Sequence, residues 1–305
     1  MPMSYSAILA EHRRKLERLI DHRGVDVIRK LYEEANAVLV AKLRRLGSAS
    51  DTFTSHIHRL MLAQVRQGQM LIVRRMAGEL GDISAEAQRE SLRGLISSIK
   101  KLDRQFIGVA TVLPIEEAAR FEGVIDKRRS SLLKQHTTSM ARYGAAVVEK
   151  VEQQMALSLA TAEPLTGTIS RVESAIGGEW YRAERIVVTE TAAAYNASHA
   201  DGIKEAAKEI PSMRMRWEEH VDDSGEPMDD RVSVDSLAMH GQVASPGENF
   251  VMPPTAPDGE PVPPALVGQR WAYPPNRPRD RAVVGPWRRE WGVPGWTWRG
   301  RRVQL

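Results

Sequence analysis

The stretch that decides the fold runs from residue 185 to residue 254. It begins RIVVTETAAAYNASHADGIKEAAKE (185–209), meets proline at Ile210-Pro211, and continues MRMRWEEHVDDSGEPMDDRVSVDSLAMHGQVASPGENFVMPP (213–254). The first part reads as a helix that Pro211 ends, because proline disfavours helical geometry in the residue before it. Met213 to Glu219 then alternates as a strand does, with Met213, Met215 and Trp217 on one face and Arg214, Arg216 and Glu218 on the other. Gly241 to Val243 and Asn249 to Met252 read as further short strands. Everything upstream reads as helix, and everything downstream as proline- and tryptophan-rich irregular chain. The expectation is an α+β fold: a predominantly helical N-terminal region, a small mixed α+β C-terminal domain and a Pro/Trp-rich irregular arm.

Upstream, Ile28, Leu31, Tyr32, Ala35, Leu39, Leu43 and Leu46 recur at three- and four-residue steps, one apolar stripe on a helix ending near Gly47. Asp51 is placed to cap a second helix, with the stripe Ile57, Met61, Val65, Gly68, Ile72, Met76 and Leu80 closed by Gly81. A third helix is expected from Ser84 to Phe106. After Pro114 a long helix carries Leu133, His136, Met140, Tyr143, Val147, Val151 and Met155, with the methionines read as core. A short helix between Pro164 and Gly177-Gly178 precedes one from Trp180 to Glu209, whose Ala183, Val187, Thr191 and Ala194 would let another helix approach. This organisation divides into helical residues 1–110, long helices over 111–210, and a β-containing domain with an extended basic arm over 211–305.

The net charge of +4 over 305 residues conceals a division along the chain. Residues 1–150 hold 26 Lys and Arg against 17 Asp and Glu, residues 151–250 hold 8 against 18, and residues 251–305 hold 9 against 4. Basic ends around an acidic middle suit a polyanion or oppositely charged protein surfaces; solvated helices produce the same pattern. No apolar run approaches the roughly 18 residues of a membrane span, so no membrane partner is expected. Charge interrupts the N-terminal segment where a signal peptide needs an apolar run. The chain has no cysteine, which excludes disulfides, thiol nucleophiles and cysteine-ligated metals.

Catalytic patterns are sparse. There is no phosphate-binding G-x-x-x-x-G-K-[ST] loop, no G-x-G-x-x-G and no motif-supported Ser/His/Asp set, so no enzyme activity and no cofactor are expected. His56 and His58 are two apart on a helix and cannot easily grip one metal. Glu218, Glu219, Asp222, Asp223, Glu226, Asp229 and Asp230, with His220 among them, read as a solvated loop around Ser224-Gly225; the alternative is a metal-dependent nuclease or hydrolase using this acidic loop over 218–230. In the tail, Trp287, Arg288, Arg289, Trp291, Trp296, Trp298, Arg299, Arg301 and Arg302 are candidate partner-binding residues. Arginine neutralises phosphate and tryptophan stacks on bases, which would make the chain a DNA-binding protein; the same residues are hot spots of protein interfaces, and the interleaved prolines favour docking.

The succession Thr189-Glu190-Thr191, Asn196, Trp217, Asp229-Asp230-Arg231-Val232, Gly241 in HGQV, and PGENFVMPP from Pro246 resembles the Mu F-like minor head proteins of tailed bacteriophages, the head morphogenesis family. The likeness covers residues 185–305, and its specificity lies in the order and spacing of the pieces. It implies a non-enzymatic virion protein in the capsid interior or at the portal vertex, present in the host cytoplasm during assembly and in multiple copies per particle. Its implied partners are the portal protein and/or the major capsid protein, with packaged DNA as a further contact. Many relatives read D-x-R-V-C-x-x-C and end in H-P-N-C-R-C. Here Ser233 and Ser236 stand at the first pair and PPNRPR (274–279) at the second, so a metal held there by relatives is not expected in this chain, and the tryptophans and prolines would supply the equivalent stability.

Overall fold

The computed structural model describes residues 4–47, 54–222, 226–228, 232, 234–256, 259–275, 280, 282–296 and 302–303. Of the described residues 68% are helical, with a small antiparallel sheet towards the C-terminus, the α+β class expected. Helices α1 (Tyr5–Arg18), α2 (Asp26–Gly47), α3 (Ser55–Phe106), α4 (Ala118–Ala160), α5 (Leu165–Gly177) and α6 (Trp180–Ala206) precede β1 (Arg214–Glu218). There follow the single turn α7 (Val234–Leu237), β2 (Val243–Ala244), β3 (Phe250–Val251), β4 (Arg270–Trp271), β5 (Val283–Trp287), β6 (Gly295–Trp296) and β7 (Arg302–Val303). A π-helical stretch, Leu19–Val25, joins α1 to α2. Among the described residues, no helix is long and apolar enough to cross a membrane.

Compactness divides the chain differently from the linear scheme 1–110, 111–210 and 211–305. One unit comprises Met1–Ile20, Ser84–Ser130 and Thr189–Leu305; the other comprises Asp21–Ile83 and Ser131–Val188. The physical reason is helix length, since α3, α4 and α6 each contribute residues to both.

In the second unit α3 and α4 run antiparallel, with Arg66 paired to Glu152 at 3.2 Å and Gly81 facing Leu133. Gly81 does not end a helix, as the sequence suggested. A lone glycine costs about 1 kcal/mol in a helix, and the burial of Met76, Leu80 and Ile83 around it outweighs that. At the start of α3 the Thr54 hydroxyl accepts from the Ile57 N–H at 3.4 Å; Asp51, the cap expected from sequence, lies outside the described residues. Met140, Tyr143, Val147, Val151 and Met155 form the expected buried stripe, but the stripe continues through His136 to Leu132, and Leu133 is half exposed. Tyr32 packs on Trp180 with ring centroids 5.5 Å apart and donates to the Ile176 carbonyl, closing α2 onto α5 and α6.

In the first unit, β1 is the middle strand of the sheet β2-β1-β5, antiparallel on both sides. Met215 faces Ala244, while Arg214 to Glu218 face Trp287 to Val283. The tail is therefore not irregular throughout. Residues 283–287 form an edge strand, where Pro286 can lack its N–H without breaking the sheet. On the free edge of β5, Asn196 of α6 donates to the Ala282 carbonyl at 3.1 Å and accepts from the Val284 N–H at 2.9 Å. Trp217, fully buried, makes an edge-to-face contact with Phe250 at 5.3 Å. Gln242 pairs both ends of its amide with the Val251 backbone at 2.7 and 2.8 Å, tying β3 to the start of β2.

Candidate functional site

The alternation in MRMRWEE predicted a strand with a polar face, and a polar face is normally left to water. Here it is covered. From Met215 to Glu218 every residue of β1 is buried, Arg216 and Glu218 being only 8% and 5% exposed, because α1 lies across them. Tyr5 donates to the Pro286 carbonyl at 2.8 Å, and its ring faces the Arg216 guanidinium at 5.3 Å. Arg216 pairs with Glu218. From two turns further along α1, Arg13 donates to the carbonyls of Glu218, at 3.4 Å, and Glu219. A groove of about 430 Å³ lies over this cluster, lined by Tyr5, Arg13, Arg216, Glu218, Val221 and His240.

Glu219 points the other way, into the interior. Its Oε1 accepts from Trp217 Nε1 at 3.2 Å and from the Ser236 hydroxyl, which also lies 3.3 Å from Asp280 Oδ1. One hydroxyl hydrogen cannot serve two carboxylates, and burial followed by the Asp280 charge pushes the Glu219 pKa up to about 8. Both causes favour the protonated carboxyl. The Glu219 N–H donates to His240 Nδ1 at 3.1 Å, which places the His240 ring proton on Nε2; burial lowers its pKa. Ser236 is fully buried and its hydroxyl is committed between two acids, the opposite of an exposed nucleophile beside a base. Chemically the cluster is a polar staple joining α1, β1, α7 and the segment before β5.

A second buried polar group lies between α1, α3 and α6. His12 meets Ser98 through Nε2 and the Tyr195 hydroxyl through Nδ1 at 3.3 Å, while His199 meets the Ser91 hydroxyl at 3.1 Å. Desolvation lowers His12 to about 4 and His199 well below its ordinary value. Gly94 makes the room: a Cβ there would come within 2.5 Å of the His12 ring. Sequence reading missed both clusters, since neither Tyr5, Arg13 nor His12 has a local signature.

The motif residues have structural posts. Asn196 clamps β5. Trp217 anchors the core, its N–H and carbonyl bonded to Gln242 and Gly241. Gly241 has φ +77, and a Cβ on it would meet Arg216 Nη2 at 3.3 Å and the Trp296 ring at 3.4 Å. Thr191 is fully buried, Glu190 is 7% exposed and Thr189 precedes them on α6. Asp229, Asp230 and Arg231 lie outside the described residues, as do Ser233 and 276–279.

In the acidic loop, Glu218 and Glu219 are interior, while Asp222 and Glu226 close a hairpin turn, the Asp222 carboxylate accepting from the Glu226 N–H at 3.0 Å. Asp223 lies outside the described residues. Among the described residues, no group of three or more His, Asp or Glu side chains is placed to hold a metal ion.

Of the tail candidates whose side chains are described, most are turned inward. Trp287 is buried and donates to the Val293 carbonyl at 2.9 Å. Trp291 and Arg288 both bond Asp103 Oδ1 at 2.9 Å, so the fully buried Asp103 of α3 holds the tail down. Trp296 is half-buried and donates to the His240 carbonyl at 2.7 Å. Arg289 is exposed, Arg302 pairs with Trp296 across β6 and β7, and Trp298, Arg299 and Arg301 lie outside the described residues. The aromatics hold this unit together because a fold with few long strands needs large apolar side chains to fill its core. No protein-family model, no curated protein and no solved structure matches this chain.

Proposed function

We propose that the chain is a minor head component of a tailed bacteriophage, a structural virion protein that acts in capsid assembly at the portal or the inner capsid wall. The observation that carries this reading is the convergence of the motif residues. Asn196, Trp217 and Gly241 are separated in sequence, yet each bonds to the backbone of the same three-stranded sheet or of the turn beside it, Asn196 through its side-chain amide. Their order and spacing thus reflect one physical unit, as a family signature should. Recognition of the portal protein or the major capsid protein would then use shape and charge rather than bond chemistry. Among the described residues of the acidic loop, Glu218 and Glu219 are engaged internally, which lends the hydrolase alternative no support.

The test is quantitative mass spectrometry of DNA-filled particles and of empty precursors, normalised to the major capsid protein. The expected result is a few to some tens of copies in one or both. Absence from both particle types refutes the reading.

A further inference from the structure

The structure also carries a basic surface that the tail reading overlooked. Between Ser55 and Gly78, α3 holds Arg59, Arg66, Arg74 and Arg75 and no carboxylate at all. All four arginines are exposed. Arg66 reaches Glu152 at 3.2 Å, both side chains remaining about half in solvent; among the described residues, Arg59, Arg74 and Arg75 make no ion pair. Successive residues turn about 100° round a helix of 3.6 residues per turn, so Arg59, Arg66 and Arg74, with Met70 between the last two, share one side of α3. Arg75 falls on the flank that carries exposed Leu60 and Leu71.

We propose that this ridge of α3 is a sequence-independent docking surface for the phosphate backbone of double-stranded DNA. A rise of about 1.5 Å per residue spaces the three arginines by about 10.5 and 12 Å. Double-stranded DNA carries a negative charge every ~1.7 Å of axis, so a ridge of this length faces several phosphates from both strands, which the long arginine side chains reach without a one-to-one register. Guanidinium groups bind phosphate with two parallel hydrogen bonds, which suits these positions better than lysine would. The ridge has no aromatic side chain to stack on a base and no Asn or Gln pair fixed by neighbours to read one, so it contacts backbone only. Helix α3 is continuous through this region, which keeps the spacing rigid. The surface stands independently of the head-protein reading, and it differs from the tail residues first considered for DNA.

The experiment is fluorescence anisotropy of the full chain against a labelled random-sequence duplex, titrated with salt from low ionic strength upward. Wild type should bind, with log K falling against log salt at a slope of about −3 for three phosphate contacts. The triple variant R59Q/R66Q/R74Q should lose at least tenfold in affinity at low salt and most of that slope, with an unchanged thermal melt because all three side chains are exposed. A charge-matched variant on α4, K127Q/R129Q/K134Q, should bind as wild type does. The proposal is overturned if wild type shows no saturable binding at low salt, if the ridge variant binds unchanged, or if the α4 variant loses as much. Binding of polyglutamate in place of duplex would assign the ridge to an acidic protein instead and equally overturn it. None of these outcomes bears on the copy number in particles, so the two readings fail separately.

Discussion

Replacing Glu219 by glutamine should stabilise the protein above neutral pH relative to wild type and change little in acid. The side chain is 2% exposed, accepts from Trp217 and Ser236, and has its pKa pushed from 4.5 up to about 8 by burial and Asp280. The folded protein therefore keeps a proton that the unfolded chain releases. With the folded pKa raised, the stability this group contributes is whole below about 4.5 and is lost as pH rises through about 8. An interval of about 3.5 units at about 1.36 kcal/mol each sets a ceiling near 5 kcal/mol, and a third of it would shift a melting midpoint by several degrees. Glutamine keeps the acceptor for Trp217 and Ser236 and has no proton to lose. Urea unfolding followed by tryptophan fluorescence, for both proteins at about pH 5 and pH 8.5, reads the difference directly. Titrating groups away from the site cancel between the two proteins, and Asp280, which titrates together with Glu219, is part of the difference that is read. The variant should gain on wild type between the two pH values. If it instead loses more at the higher pH, Glu219 is ionised in the fold and the proton-sharing account of Ser236 and Asp280 is wrong.

The buried histidines act in the opposite direction. Because burial lowers His12 from 6.5 to about 4, its contribution is present above about pH 6.5 and is lost as pH falls towards 4; His12→Gln should flatten that limb of the urea-midpoint profile, and an unchanged profile would count against it. Asn196→Ala removes the two bonds that this side chain makes to the edge of β5 and should cost about 2–4 kcal/mol by chemical unfolding. Asn196→Asp keeps only the acceptor for the Val284 N–H and should fall between, so equal losses would show that the two bonds are not what matters. Gly241→Ala combines a left-handed backbone with a Cβ 3.3 Å from Arg216 and should cost at least about 1–2 kcal/mol, and a wild-type melt would contradict the turn geometry.

What could be read from the sequence was whatever depends on near neighbours. Met140 to Met155 at helical spacing had to share a face, and Met213 to Glu219 had to be extended, because periodicity is a local property. Gly81 and the prolines of the tail misled for one reason: a breaker is a modest local cost that tertiary packing can override. Gly285 and Pro286 sit inside β5 because the strand lies at the sheet's edge and Asn196, some ninety residues earlier, supplies the partner that a further strand would. The cluster over β1 was illegible in a stronger sense. Arg214, Arg216 and Glu218 carry the pattern of a solvated face, and only α1, two hundred residues away, makes that face interior. Tryptophan and arginine in the tail were ambiguous for a related reason. The chemistry that makes them good anchors at a protein interface makes them equally good anchors within one chain, and the choice is decided by a single buried carboxylate, Asp103, on a helix the tail sequence cannot specify. Residue type names the kind of contact, and the fold names its partner.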